Sequence, residues 1–224
     1  MTIAADTLGA IGEKTGDQVR VAPEICGRMT ARVCLMETLA IGSWPFALTA
    51  LTCNEYDPTG VRLLTGIRKE IEEAGFPDLS IGGSSEDNMR TDMTALGITL
   101  LGECDILLWR LAEEGDGVYL LGMPYVGDEV LAHFDELPAV SQFRRLRESP
   151  GVGDMIPCGS RGIAWELQML ERETGLSVKL DANLDSALLQ KSAGPATCAI
   201  ITARENLENK ENRIIRIGTL IRTI

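Results

Sequence analysis

Residues 23–40 constrain the fold most. After Pro23 the apolar positions Ile25, Met29, Val33, Met36, Leu39 and Ala40 recur at helical spacing until Gly42 stops them. The stretches on either side read as strands. Residues 2–9 form a short strand running into a loop that extends to Asp17, and residues 46–53 form the next strand. Pro58-Thr59-Gly60 opens a second helix, with Val61, Leu64, Ile67 and Ile71 as its apolar face and Gly75 as its end. The segment Gly82-Gly83-Ser84-Ser85-Glu86-Asp87-Asn88 reads as a polar loop, and residues 94–104 as a β-type run.

Residues 113–117 (Glu-Glu-Gly-Asp-Gly) make a polar, glycine-rich break, which places the domain boundary between 1–112 and 113–224. Beyond it the pattern predicts strands at 118–122, 177–180, 197–202 and 213–220, and helices at 128–134, 140–147 and 163–174. Two α/β domains are expected.

Composition narrows the function. Acidic residues outnumber basic ones, 33 to 21, for a net charge of −12, and the lysines and arginines are scattered. Nucleic acid is therefore not an expected partner, because phosphate-backbone affinity needs concentrated positive charge. The six cysteines lie far apart without a CxxC pair, as buried thiols in a reducing cytosol do. Asp6 and Glu13 interrupt any leader-like apolar run, and no stretch reaches the roughly 20 apolar residues that span a bilayer. A soluble, cytoplasmic protein is expected.

Five places carry candidate chemistry. In the 82–88 segment, Gly82 and Gly83 let backbone approach a ligand, while Ser84, Ser85, Glu86 and Asp87 offer the hard oxygen atoms that magnesium prefers; the same residues also make ordinary turns. Asp6 is followed by Gly9, Gly12 and Lys14, which could hold a metal and neutralise phosphate, or form an exposed charged loop; with Thr at position 7 it is not a P-loop. Glu37 sits on the 25–40 helix, and Asn54-Glu55 end a strand where ligand groups project in α/β sheets. Gly159-Ser160-Arg161-Gly162 precedes a helix start that favours an anion, with Arg161 able to add a bidentate contact. His133, the single histidine, falls in a helical stretch and gives a Ser-His-Asp mechanism little support.

In this order the segments resemble the superfamily of aminoimidazole ribonucleotide (AIR) synthetase, selenophosphate synthetase, thiamine-monophosphate kinase and the hydrogenase maturation protein HypE. Residues 6–14 look like its Asp-Gly-x-Gly-Thr-Lys segment, residues 36–45 like its Asn-Asp-hydrophobic-Gly-Ala-x-Pro helix end, and residues 82–86 like its Gly-Gly-Glu-Thr loop. The runs at 9–14, 30–33, 58–60, 159–163 and 191–197 resemble more closely the AIR synthase-related proteins that include α-ribazole kinase.

The resemblance implies a two-domain PurM-like α/β fold, an N-terminal sheet-and-helix domain forming a dimeric barrel, and a C-terminal α/β sandwich. It also implies an ATP site in which Asp6, Glu37 and Glu86 or Asp87 bring Mg2+ to the triphosphate, with Lys14 beside it and Asn54 or Glu55 nearby. The chain departs from the family pattern in three places: extra residues lie between Asp6 and Lys14, Glu37 replaces the usual Asp, and Ser84 replaces the first loop acid. The chain also starts only a few residues before Asp6, where many relatives carry a Gly-rich cover over the nucleotide.

A selenophosphate synthetase is disfavoured, as no reactive cysteine precedes Lys14, and so is HypE, whose C-terminal cysteine is replaced by Ile224. The first expectation is an ATP-dependent small-molecule kinase with α-ribazole as acceptor. The alternatives are an ATP-dependent ligase or cyclase and a non-catalytic nucleotide-binding homodimer.

Overall fold

A computed structural model describes residues 1–182, 184–207 and 213–222, so Ile224 lies outside the described residues. The chain forms two compact units. The first comprises Met1–Leu39 and Ser43–Asp105, and the second runs from Ile106 onward and includes Ala40–Gly42. The 113–117 stretch is a tight turn inside the second unit, where Glu113 N–H donates to the Asp116 carboxylate (2.9 Å) and Gly115 N–H to the Leu220 carbonyl (2.9 Å).

The first unit holds strands β1 (Thr2–Gly9), β2 (Ile11–Gly12), β3 (Val19–Arg20), β4 (Trp44–Thr52), β5 (Ser80–Ser85) and β6 (Ala95–Glu103), with helices α1 (Pro23–Ala40) and α2 (Val61–Glu73). Its main sheet runs β1-β6-β4-β5, antiparallel except for the β4–β5 pair, while β2 and β3 form a short parallel ribbon. Period-2 alternation sorts the strand residues. Ala4, Leu48, Ala50, Leu96, Ile98 and Leu100 are buried, whereas Ile3 and Leu51 on the opposite face are exposed, as is Phe46 at the β-bulge between Pro45 and Ala47.

Helix α1 is more enclosed than one apolar stripe implies, because Thr30, Arg32 and Thr38 are buried as well. The two helices meet backbone to backbone: a Cβ at Gly27 would lie 2.0 Å from the Leu63 carbonyl oxygen, and one at Gly66 would lie 1.8 Å from that of Glu24. Beside this crossing, Glu70 of α2 is buried and takes a hydrogen bond from Arg28 (2.9 Å) and an ion pair from Arg32 (3.8 Å).

Residues 82–85, expected as a loop, form the second half of β5. Parallel pairing with β4 from Ala47 to Thr52 satisfies one rim of their backbone, an arrangement that turn-type composition does not signal. Gly83 owes its identity to this pairing, since a Cβ there would sit 2.0 Å from the Ala50 carbonyl oxygen, while one at Gly82 would meet nothing within 4 Å.

The second unit holds β7 (Gly117–Gly122), β8 (Val152–Pro157), β9 (Leu176–Leu180), β10 (Cys198–Ala203) and β11 (Ile214–Arg222), with helices α3 (Asp128–Ala132), α4 (Val140–Arg147), α5 (Gly162–Thr174) and α6 (Ser186–Gln190). Its sheet order is β8-β10-β7-β11-β9, antiparallel throughout. Every residue of the central strands β7 and β10 is buried. Val118, Leu120, Cys198 and Ile200 pack with Ile163 and Leu167 of α5, and because Leu121, Ala199 and Ile201 of the other parity are also buried, both sheet faces are covered. The sequence pattern missed β8 and α6. Val152-Gly153-Asp154 interrupts apolar alternation, and α6 is only one turn long.

The glycine pair gives an internally controlled prediction. Gly83→Ala should destabilise the chain by about 1–3 kcal/mol through overpacking against β4, and Gly82→Ala should change stability by less than about 0.5 kcal/mol. Chemical denaturation of the two variants checks the contrast.

Candidate functional site

Asp6 lies mid-strand in β1, opposite Ile98, on the same face as the buried Ala4. Burial raises its pKa, and the Thr7 amide only partly offsets this. Cys34 of α1 faces it: the thiol donates to the Ile98 carbonyl (3.8 Å), and its pKa is pushed up to about 12 by burial first and then by the charges of Asp6 and Glu37. Asp6 and the exposed Glu37 thus both bear on one buried thiol at the β1–α1 seam.

The acids at the other end of the proposed set lie elsewhere on the sheet. Asp6, Ile98, Ala50 and Gly83 occupy one cross-strand row, which places three strand spacings, roughly 14 Å, between Asp6 and β5. Glu86 and Asp87 follow β5 at that far edge, so they stand apart from Asp6. Among the described residues, no three His, Cys, Asp or Glu side chains stand close enough together to hold a metal ion. Magnesium needs only one or two carboxylates when phosphate oxygens and water complete its shell.

The acidic loop is internally ordered. Glu86 N–H donates to the Asn54 carbonyl (3.0 Å), and the Glu86 carboxylate accepts from the amides of Asn88 (2.8 Å) and Met89 (3.1 Å). Asp87 accepts from Ser85 Oγ (2.6 Å) and the Tyr56 amide (2.8 Å), and the Ser85 hydroxyl leads in holding its pKa below the ordinary carboxylate range.

Lys14 is tied at both ends. Its Nζ pairs with Glu55 Oε2 (2.7 Å), and its backbone N–H donates to Asp17 Oδ2 (2.8 Å). Burial raises the Glu55 pKa, but hydrogen bonds from Lys14 and Thr59 outweigh it and hold the group below its ordinary value. Gly12 fits here because its φ of 157° suits glycine and because a Cβ would lie 2.2 Å from Thr94 Oγ1. Asn54 is fully buried with its amide engaged inside the fold, donating to Thr91 Oγ1 (2.6 Å) and the Met93 carbonyl (2.8 Å) and accepting from Ala95 N–H (2.9 Å).

A cavity of about 190 Å3 adjoins the glycine strand. Gly82, Gly83 and Ser85 form one wall, and Tyr56, Leu64 and Arg68 stand on the other. Tyr56, Arg68 and Asp17 were not singled out from the sequence. The first two carry no motif, and Asp17 reads as the end of a loop until its burial is seen.

In the second unit, Arg161 lays its guanidinium over the Trp165 ring, 4.2 Å from the centroid. The 159–162 loop is fastened by Ala193 N–H to the Gly159 carbonyl (3.1 Å), and burial raises the pKa of Glu166, which accepts from the Gly159 amide at 3.5 Å. Lys191 pairs with Glu129 (2.8 Å), and His133 stacks on Tyr125 with ring centroids 4.3 Å apart.

No family model matches the chain, and no curated protein matches it. Solved structures do match, and they define the class: this is a two-unit α/β chain with the PurM-like fold. Thiamine-monophosphate kinase from Stenotrophomonas maltophilia K279a is similar at a TM-score of 0.72 and 16% identity, over 99% of this chain and 83% of that one. The structure described as AaThiL complexed with AMPPCP and TMP gives 0.70 and 14%, over 99% and 81%. HypE of E. coli gives 0.67 and 13%, over 100% and 81%. No helix among the described residues is long and apolar enough to cross a membrane.

The burial of Asp6 sets a pH dependence. An acid whose pKa is raised by folding holds its proton longer in the native state, so its ionisation costs stability as pH climbs above the unfolded value of about 3.9. Asp6→Asn should therefore gain in melting temperature over the parent chain between about pH 3 and pH 7, with the two converging at the acid end. Melts across that range check the trend.

Proposed function

We propose that this chain is an ATP- and Mg2+-dependent small-molecule kinase. The observation that carries the reading is the cavity between α2 and the glycine half of β5, whose wall continues directly into the acidic loop at Glu86 and Asp87. Tyr56 and Leu64 offer a partly apolar surface for a nucleotide base, and Gly82 and Gly83 keep side chains away from it. Lys14 has its ammonium beside the loop's neighbour Glu55, from which it can pass to phosphate oxygens.

The residues present fit a magnesium ion. Glu86 and Asp87 would share one with the phosphates, and the desolvated Asp6 is a further carboxylate whose burial cost a cation would relieve. Bound magnesium supplies neutralisation of the charge that builds on the transferring phosphoryl group. The chain's own residues then have to orient the nucleotide, hold the acids and present Lys14.

The likeness to thiamine-monophosphate kinases, one described with AMPPCP and TMP, supports phosphoryl transfer as the reaction class. The acceptor we propose is α-ribazole, as in cobalamin lower-ligand salvage, on the resemblance of the 159–163 and 191–197 runs to α-ribazole kinase. Arg161 would contribute to anion binding from its unit. A cytoplasmic homodimer is proposed too, because the outer face of the first sheet leaves Ile3 and Leu51 exposed, as half of a barrel would.

Incubated with magnesium, ATP and α-ribazole, the purified chain should yield ADP and phosphorylated α-ribazole. Lys14→Ala and Glu86→Gln should each lower turnover roughly tenfold or more, the scale of a lost charge-assisted contact. Phosphate released free in place of a phosphorylated product would shift the reading to a ligase or cyclase. Calorimetry without magnesium-dependent ATP binding would remove both enzyme readings.

A further inference from the structure

We propose that Asp17 is a positioning residue that acts through Lys14, fixing the base of that side chain against the same short segment that orders the acidic side of the site. The inference rests on the nucleotide reading above and deepens it.

Asp17 is only 7% exposed, and both carboxylate oxygens are taken. Oδ1 accepts from Thr94 N–H (2.7 Å), and Oδ2 accepts from Thr94 Oγ1 (2.7 Å) and Lys14 N–H (2.8 Å). A carboxylate so enclosed influences the site through the groups it holds. The other side of the 91–95 segment is held by Asn54, and the adjacent Glu55 grips Lys14 Nζ. The hydrogen bonds close a ring: Asp17 to the Lys14 backbone, the Lys14 side chain to Glu55, Asn54 to residues 91–95, and Thr94 back to Asp17. Further contacts tighten it, with Ala10 N–H to the Thr94 carbonyl (2.9 Å) and Gly16 N–H to the Asp92 carbonyl (2.7 Å).

The ring gives Asp17 a role that a plain loop anchor lacks. It fixes where Lys14 leaves the backbone relative to Asn54, whose carbonyl receives Glu86 N–H at the start of the acidic loop. Cation and acids are thus set against a common frame before any nucleotide arrives, which is the condition for electrostatic stabilisation without reorganisation. In Asp17→Asn one oxygen becomes an amide that cannot accept, leaving at least one buried donor unpaired.

A double-mutant cycle on magnesium-dependent ATP binding tests the inference by calorimetry on the full chain. Asp17→Asn and Lys14→Ala should each weaken binding by about tenfold, and the double variant should bind no worse than Lys14→Ala alone, because Asp17 has nothing left to position. Losses that multiply would overturn the inference and leave a general structural role. Thr94→Val removes a single donor to Asp17 and should give a smaller loss that also vanishes in the Lys14→Ala background; it carries the cycle if Asp17→Asn does not fold. A parent chain without magnesium-dependent ATP binding would overturn the nucleotide reading itself, a result distinct from binding that is present with multiplied losses.

Discussion

The approach of α1 to α2 is the constraint on which the first unit depends. Gly27 and Gly66 each let one helix rest on the other's backbone at distances no side chain would permit. The approach puts Arg28 and Arg32 within reach of the buried Glu70. It also sets the height of α2 above the sheet, and with it the gap from which the cavity is made. A buried ion pair of this kind is costly to break because the surviving partner stays desolvated. The helix pair is therefore fixed in register as well as in distance, and Tyr56, Leu64 and Arg68 inherit their places from it.

Much of this was legible in the sequence. The α1 period, the Pro58-Thr59-Gly60 start of α2 and the β-type run of β6 all come from local patterns that the packed structure keeps. The 82–85 segment did not. Its Gly-Gly-Ser-Ser composition is that of a turn, and only the neighbouring strand β4, distant in sequence, makes it extended. Propensity lost to tertiary pairing at this point.

The site residues divide along the same line. Lys14, Glu55 and Glu86 stood out because charge near glycine and strand ends is visible in one dimension. Asn54 stood out only for its strand-end position, and its bracing role, like that of Asp17, was unseen, since burial is what distinguishes a strut from a loop residue. That Asp6 and Glu86 belong to opposite edges follows from strand order, which no local signal encodes. The resemblance supplied the order of the motifs but not the distance between them.

Among the described residues, strand β5 has a neighbour on one side only, so its outer rim is an open edge beside a glycine-rich stretch. Such an edge is a template on which another chain can add a strand. Here the glycines that open the cavity also remove the bulk that would fend off such an addition. The protection falls to charge, from Asp78 before the strand and Glu86 and Asp87 after it. The same acids would then serve solubility as well as ligand binding, and conditions that neutralise them would expose the chain to edge-to-edge association at the rim of its cavity.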